Sequence, residues 1–362
     1  MKQIILKKGQ ISLEEVPTPI CSENNVLIQN YYSLISAGTE NTTINFSKAN
    51  IIKKTLNYPD KIAKGFQILK RKGVTETFKL TKNFLEFPSA LGYSCAGKVI
   101  AIGDNIKDIK RGDMVAGSGA QYANHAEIVS IPRNLLVKIP EELNIKTACS
   151  ASVGAIALHG VRQLEPQLGE TIVVIGLGLI GNLVAQILKA NGNKVIGIDI
   201  NNLRLKKAEE LGIDFVFNST NTNLTQKILK ITNNIGVDGV IIAASVNNST
   251  LINESLDFTR KRGRVVVLGV VGLNIQRNRW YEKEIDLKIS CSLGPGRYDN
   301  NYENKCIDYP LPYVRWTENR NMEAYLDLLK SKKINFETLI EKEFPLEQCK
   351  EAYAALNTQP QP

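Results

Sequence analysis

TIVVIGLGLIGNLVAQILKANGNKVIGID, residues 171–199, decides how this chain is read. An apolar run leads into a helical pattern, and a second apolar run follows that ends in an acid. Gly176, Gly178 and Gly181 have the G-x-G-x-x-G spacing, and Asp199 follows Gly181 by 18 residues. A glycine triplet alone is weak evidence; with a strand before it, a helix after it, then a second strand and a carboxylate, it predicts a dinucleotide site. Gly176 allows the tight turn, Gly178 lets the backbone approach a pyrophosphate, and Gly181 lets the helix pack on the strand. The helix N-terminus offers the phosphates free N–H groups and a positive dipole end. Asp199 would accept the adenosine ribose hydroxyls and repel a 2′-phosphate, so NAD is the expected cofactor. A membrane span is the competing reading of residues 171–188, and Asn182, Gln186 and the glycines argue against it.

Outward from this stretch the pattern alternates. Strands are expected at 171–176, 194–199, 214–218, 237–244 and 264–269 with helices between them, which predicts a parallel sheet covered on both faces. Before residue 150 the chain reads instead as short strands: QIIL, ISLEEV, NVLIQNYYSLI, GKVIAIG, DMVAG, AEIVSIP and LLVKIP. The exception is about 44–86, where apolar residues fall at helical spacing. Within it, residues 48–82 hold ten Lys and Arg against Asp60 and Glu76, a net +8 in a chain whose formal net charge is +9. Such a segment suits a solvated face, a nucleic-acid patch or a funnel for an anionic substrate. Sparse aromatics (Tyr58, Phe66, Phe78, Phe84) and the lack of an RNA motif count against nucleic acid. Beyond 295 come a Gly/Pro/aromatic segment, GPGRYDNNYENKCIDYPLPYVRW, and a helix near NMEAYLDLLKSKK.

At 362 residues and 43% hydrophobic content the chain has room for two cores. Its N-terminus has no signal-peptide pattern, and six cysteines are scattered without a C-x-x-C pair, so free thiols and a cytoplasmic location are expected.

The pattern of Gly97, Gly103, Gly112 and Asp113 ahead of the glycine-rich turn resembles the medium-chain dehydrogenase/reductase superfamily. So do SAGTE at Ser36–Glu40, LGYSCAG at Leu91–Gly97 and the closing FPLEQCKEAYAAL. More closely, YYSLISAGTE, GAIALHGVRQLEPQLGE and the GPGRYD segment are similar to the dehydrogenase half of bacterial two-domain oxidoreductases. Those enzymes often serve surface-polysaccharide pathways and carry a further sugar-oxidoreductase-like domain, so a stand-alone, truncated or split version is expected here. The resemblance implies an α/β chain. Residues 1–150 would form a GroES-like catalytic domain with the helical insertion, 151–294 a Rossmann NAD-binding domain, and 295–362 a segment returning to the catalytic domain. It also implies that Leu179, Ile180, Ile200, Arg204, Ala243, Ala244, Leu268 and Gly269 join the glycines and Asp199 around the cofactor.

In zinc-dependent members a Cys, a His and a third Cys or acid hold the metal. Here the first two positions are Ala37 and Tyr93, Ser94 replaces the neighbouring Glu, and Cys149 falls near the third. One thiolate cannot build a tetrahedral site, so the expectation is no metal. The proton relay must then come from side chains. Thr39 matches the residue that bonds the substrate hydroxyl, Glu40 matches an acid behind the metal ligands, and Tyr93 stands near the vacated position. His125 is the preferred histidine, because the helix-borne His159 suits a structural role. Arg297, Tyr298 and Arg315 are candidate substrate-binding residues, since arginine clamps carboxylate or phosphate. The expected activity is a zinc-independent, NAD-dependent interconversion of a secondary alcohol and a ketone on an anionic, sugar-derived small molecule. A non-catalytic NAD-binding module docking a partner domain or anionic polymer, and a quinone or enone reductase, are the alternatives. A homodimer and a partner oxidoreductase domain are the associations left open; no nucleic acid and no membrane span are expected.

Overall fold

The computed structural model describes residues 1–7, 9–48 and 88–356. Most of the expected basic insertion, including Lys70, Arg71 and Lys72, lies outside the described residues.

The glycine-rich turn sits in a six-stranded, all-parallel sheet made of β9 (Thr171–Ile175), β10 (Lys194–Asp199), β11 (Phe215–Asn218), β12 (Val237–Ile242), β13 (Thr259–Val267) and β14 (Asp286–Ile289), in the order β11-β10-β9-β12-β13-β14. Sequence order reverses between β9 and β12, and the crevice at the carboxyl ends of these two strands is where such sheets take ligands. The central strands are apolar throughout because both faces are covered. Val173, Ile175, Val240, Ile242, Val265 and Val267 enter one cluster, and Ile172, Val174, Ile241 and Val266 the other. Each such side chain contributes about 1.5–3 kcal/mol on burial. The edge strand β14 escapes the sequence pattern: DLKI is four residues long and half exposed, so it carries no apolar run.

The amino-terminal part is antiparallel, as its alternating strands require. β3 (Asn25–Ser33), β5 (Ser94–Ile102), β6 (Met114–Ser118), β7 (Ile128–Pro132) and β8 (Leu136–Lys138) form a curled sheet in the order β7-β3-β5-β6-β8. A smaller sheet pairs β1 (Lys2–Lys7) with β2 (Gln10–Glu15) and with β4 (Ser89–Ala90). A helix at Ala37–Lys48 starts seven residues before the expected helical segment.

Two helices join the parts. Ala151–Leu164 packs on the parallel sheet, where Gly160 lets Leu268 approach so closely that a Cβ would lie 2.1 Å from its Cδ1. It also packs on Glu318–Lys330, whose Tyr325 ring occupies the space a Cβ on Gly154 would need. The last described helix, Cys349–Ala355, lies in an apolar cluster with Ile4, Leu6, Ile44 and Leu91 of the amino-terminal part.

Candidate functional site

After Ile175 the chain reverses at Gly176, whose φ of +92° is open to glycine at no steric cost. A Cβ there would meet the Ala244 amide nitrogen at 2.7 Å. The helix Leu179–Ala190 then starts against the strand, and a Cβ on Gly181 would stand 1.7 Å from the Gly176 carbonyl oxygen. Gly178 differs from both. The position of its absent Cβ meets only the Arg204 guanidinium, at 3.9 Å, so its outer side is open. That opening lies over the amino end of Leu179–Ala190, where Leu179 and Ile180 begin the helix.

Asp199 ends β10 nearly buried. Its Oδ2 accepts the Leu177 N–H at 2.7 Å and its Oδ1 the Asn201 N–H at 2.8 Å, with Arg204 Nη1 3.9 Å away. The acid therefore braces the turn as well as facing the crevice, and each carboxylate oxygen keeps a lone pair for a hydroxyl. Ile200 beside it is exposed. Across the crevice, Ala243 and Ala244 both donate to the Ile175 carbonyl, and Leu268 and Gly269 both donate to that of Ile242. The strand ends are thereby drawn tightly together, and all twelve residues expected around the cofactor lie at the carboxyl end of the sheet. The open Gly178 cradle, the unblocked helix end and the acid fit a dinucleotide.

The residues expected to move protons are arranged differently. Glu40 and His125, distant in sequence, meet in the interior at 3% and 1% exposure. His125 Nε2 lies 3.2 Å from Glu40 Oε2, and its Nδ1 lies 2.7 Å from Ser33 Oγ. Glu40 Oε1 accepts the Ser36 N–H at 3.0 Å, and Oε2 accepts the Tyr353 hydroxyl. Burial and the Glu40 charge push the Tyr353 phenol far above its ordinary value. Tyr353, on Cys349–Ala355, was not singled out by sequence reasoning; its only signal was the resemblance of the closing EAY stretch to the superfamily. The Thr39 side chain is outside the described ones. Tyr93 is half-buried and packs on the other side, against the cluster that includes Ala151–Leu164. Beside it Ser94 donates to the Cys149 carbonyl at 2.6 Å and accepts the Ser152 N–H. The Cys149 thiol donates to the Lys146 carbonyl, and burial pushes its pKa up to about 12.

Of the residues proposed to bind substrate, Arg297 donates to Glu303 at 2.6 Å and lies over the Tyr298 ring. Tyr298, with φ of +67°, is 76% exposed. Arg315 lies over Trp316. Beneath this segment Glu318 is buried with no hydrogen-bond partner for Oε1 among the described residues, and burial followed by the Glu303 charge pushes its carboxyl up to about 8. His159 is held down at about 4 by burial and by Arg162, so it stays neutral.

A parallel sheet with a glycine-rich turn at its switch point, preceded by a curled antiparallel sheet, is an architecture whose crevice fits a dinucleotide. Comparison with known proteins agrees. A family model described as zinc-binding dehydrogenase matches residues 180–303. A sorbitol dehydrogenase of Halalkalibacterium halodurans is 25% identical over 301 residues, covering 75% of this chain and 81% of the relative. Among solved structures, the alcohol dehydrogenase TADH from Thermus sp. ATN1 superposes with a TM-score of 0.75 at 20% identity, covering 99% of this chain and 96% of that one. Galactitol-1-phosphate dehydrogenase from Escherichia coli does so with 0.75 at 17% identity, covering 100% and 98%. Over residues 180–303 the chain is similar to zinc-binding dehydrogenases, and it shares its fold with these dehydrogenase structures. Among the described residues no helix is long and apolar enough to cross a membrane.

Proposed function

We propose that this protein is an NAD(H)-dependent oxidoreductase that interconverts a secondary alcohol and a ketone on a polar, polyol- or sugar-derived substrate without catalytic zinc. The turn at Gly176–Gly181 with Asp199 carries this reading, since the outer side of Gly178 is uncrowded at a helix end and an acid stands where a 2′-phosphate would go. The division into a catalytic part (1–150), a nucleotide part (151–294) and a returning segment (295–362) is part of the same proposal. It is supported by the Tyr353–Glu40 contact, which ties the returning segment to the first part.

A bound nicotinamide supplies or accepts the hydride. The chain would position it: the Leu179–Ala190 helix end would receive the phosphates and Asp199 would accept ribose hydroxyls. The proton of the alcohol falls to a side-chain hydroxyl, for which Thr39 and Tyr93 are the candidates by resemblance. Glu40 and His125, sealed from solvent, orient the helix that bears Thr39. Zinc does not fit the donor set. Ala37 has no donor atom, Tyr93 brings a phenol, and Cys149 holds a proton that burial makes costly to remove.

Reduction of NAD by polyols, followed by absorbance of the reduced nicotinamide, tests the activity, together with elemental analysis. The expected outcome is turnover that survives a chelator, with well under one zinc per chain. Stoichiometric zinc with Cys149 as a ligand would overturn the metal-free reading. The burial of Glu40 and His125 is the observation that favours a second reading, a non-catalytic NAD-binding module; tight NADH binding without turnover of any polyol or sugar would establish it.

A further inference from the structure

The helix Leu179–Ala190 is buried along most of its length, and two amides, Asn182 and Gln186, stand among its apolar residues at 3% and 5% exposure. Burying an amide is unfavourable unless it is hydrogen-bonded, so each should have a role that an apolar residue could not fill. For Gln186 the role is tertiary: its Oε1 accepts the Asn335 N–H at 2.7 Å, from the segment that follows Glu318–Lys330. Asn182 reaches the other way, into the glycine-rich turn. Its Nδ2 donates to the Leu177 carbonyl and, at 3.3 Å, to the Gly178 carbonyl. Two acceptors at one end of an amide require that end to be the NH2 group. Oδ1 is left with no partner among the described residues.

Those two bonds decide where the turn points its own donors. A trans peptide is planar, so its C=O and N–H point in opposite directions. Drawing the Leu177 and Gly178 carbonyls toward Asn182 therefore turns the N–H groups of Gly178 and Leu179 outward at the amino end of the helix. Neither N–H has a hydrogen-bond partner among the described residues. The preceding peptide is held as well, because Asp199 Oδ2 accepts the Leu177 N–H at 2.7 Å. The need for such bracing comes from Gly178 itself. It has no Cβ, and only the Arg204 guanidinium comes within 4 Å of the position one would take, so its peptides keep a freedom to rotate that another residue would remove. A turn that lets a phosphate approach closely is thus a soft turn, and Asp199 and Asn182 stiffen it from two sides.

We propose that Asn182 is a positioning residue for the pyrophosphate: its side-chain amide holds the Leu177 and Gly178 carbonyls inward, so that the Gly178 and Leu179 N–H groups are preset toward the anion. This role rests on the dinucleotide reading of the turn and adds to it a side chain that acts through the backbone alone. Ordering those peptides at the moment of binding would cost affinity, so a preset turn binds more tightly than a free one.

ADP-ribose, which has the pyrophosphate and no nicotinamide ring, is titrated calorimetrically into the full chain between about pH 6 and about pH 9. Asn182→Leu keeps the branching of the side chain and removes the donor, and should raise Kd about tenfold or more. Asn182→Asp keeps the shape and turns the donor into a charged acceptor, and should raise Kd at least as much at the alkaline end. Burial raises the pKa of a carboxyl, and once protonated it donates again. The ratio of this variant's Kd to the parent's should therefore fall about threefold or more toward the acid end. Asp199 and Arg204, the charged groups that border the turn, are present in variant and parent alike, so the ratio isolates residue 182. Parent affinity in either variant, or a ratio that does not change with pH, would overturn the role. If Asn182→Leu does not fold, as read by circular dichroism, the ratio for Asn182→Asp decides alone. Gly181→Ala separates this role from the reading beneath it. ADP-ribose bound by Gly181→Ala as tightly as by the parent would mean that the turn is not the cofactor site, and both would fall. ADP-ribose lost there but bound normally by both Asn182 variants would leave the site standing and remove Asn182 from it.

Discussion

The glycine-rich turn and the Glu40 cluster are both closely packed and both rich in polar groups, yet they are built in opposite ways. The turn is made of backbone drawn from one short stretch, and it leaves a helix end and the outer side of Gly178 open. The Glu40 cluster is made of side chains from β3, the helix Ala37–Lys48, the segment before β7 and the helix Cys349–Ala355, and it closes on itself. A place prepared for a ligand keeps donors free; a place prepared for the fold uses them up. The contrast predicts that damage to the first removes binding and damage to the second removes stability.

The strongest way to break this contrast is Gly181→Ala. With a Cβ 1.7 Å from a carbonyl oxygen, the helix and strand must separate, at a cost of about 4 kcal/mol or more. Fluorescence titration should show NADH binding lost, and a variant that still binds NADH normally would mean the turn is not the site.

Glu318 sharpens the contrast, because it is a sealed carboxyl whose Oε1 has, among the described residues, none of the donors that Glu40 has. Its pKa is raised from the ordinary 4.5 to about 8, so between these values the folded chain binds more protons than the unfolded one. Stability should therefore fall as pH rises through that window, by up to about 1.4 kcal/mol per pH unit, and level off above it. Subtracting the denaturation profile of Glu318→Gln from that of the parent isolates this slope; parallel profiles would contradict it.

Tyr353→Phe withdraws one donor from buried Glu40 and should cost about 1–3 kcal/mol of unfolding free energy. Turnover at a permissive temperature should change little. A loss of kcat of about 10²-fold or more with unaltered stability would instead place the cluster in the proton relay.

The smallest effect is expected at Asp199. NADH should bind at least about tenfold more tightly than NADPH, about 1.4 kcal/mol, and Asp199→Asn should narrow the gap by removing the charge while keeping the shape. Equal dissociation constants in the parent protein would rule out the NAD preference.

These regions also differ in how far they could be read from sequence. Gly176 and Gly181 announce themselves because each answers a steric demand set by neighbours a few residues away, or by an adjacent strand end. The strands β9, β10 and β12 and the carboxyl half of β13 were legible for the same reason: burial on both faces writes an apolar run into the chain. β14 was not, since an edge strand of four half-exposed residues writes none. Glu40 and His125 could be named as chemistry-bearing residues, but their meeting, and the hydroxyl of Tyr353, depend on contacts that no local pattern records. Arg162 was invisible likewise, because a helical arginine gives no sign of the tryptophan 154 positions later that it will cover.

The hydrogen bond from Tyr353 to Glu40 spans 313 residues of chain. During synthesis the amino-terminal sheets emerge long before this hydroxyl does, so for most of translation Glu40 must keep water or another donor in its place. The amino-terminal part can then settle only loosely around residue 40, and the closing of the helix Cys349–Ala355 over Ile4, Leu6 and Leu91 becomes a late step in maturation. A ribosome-stalled chain ending before residue 349 should accordingly expose that apolar surface to chaperones, and one extending beyond residue 355 should hide it.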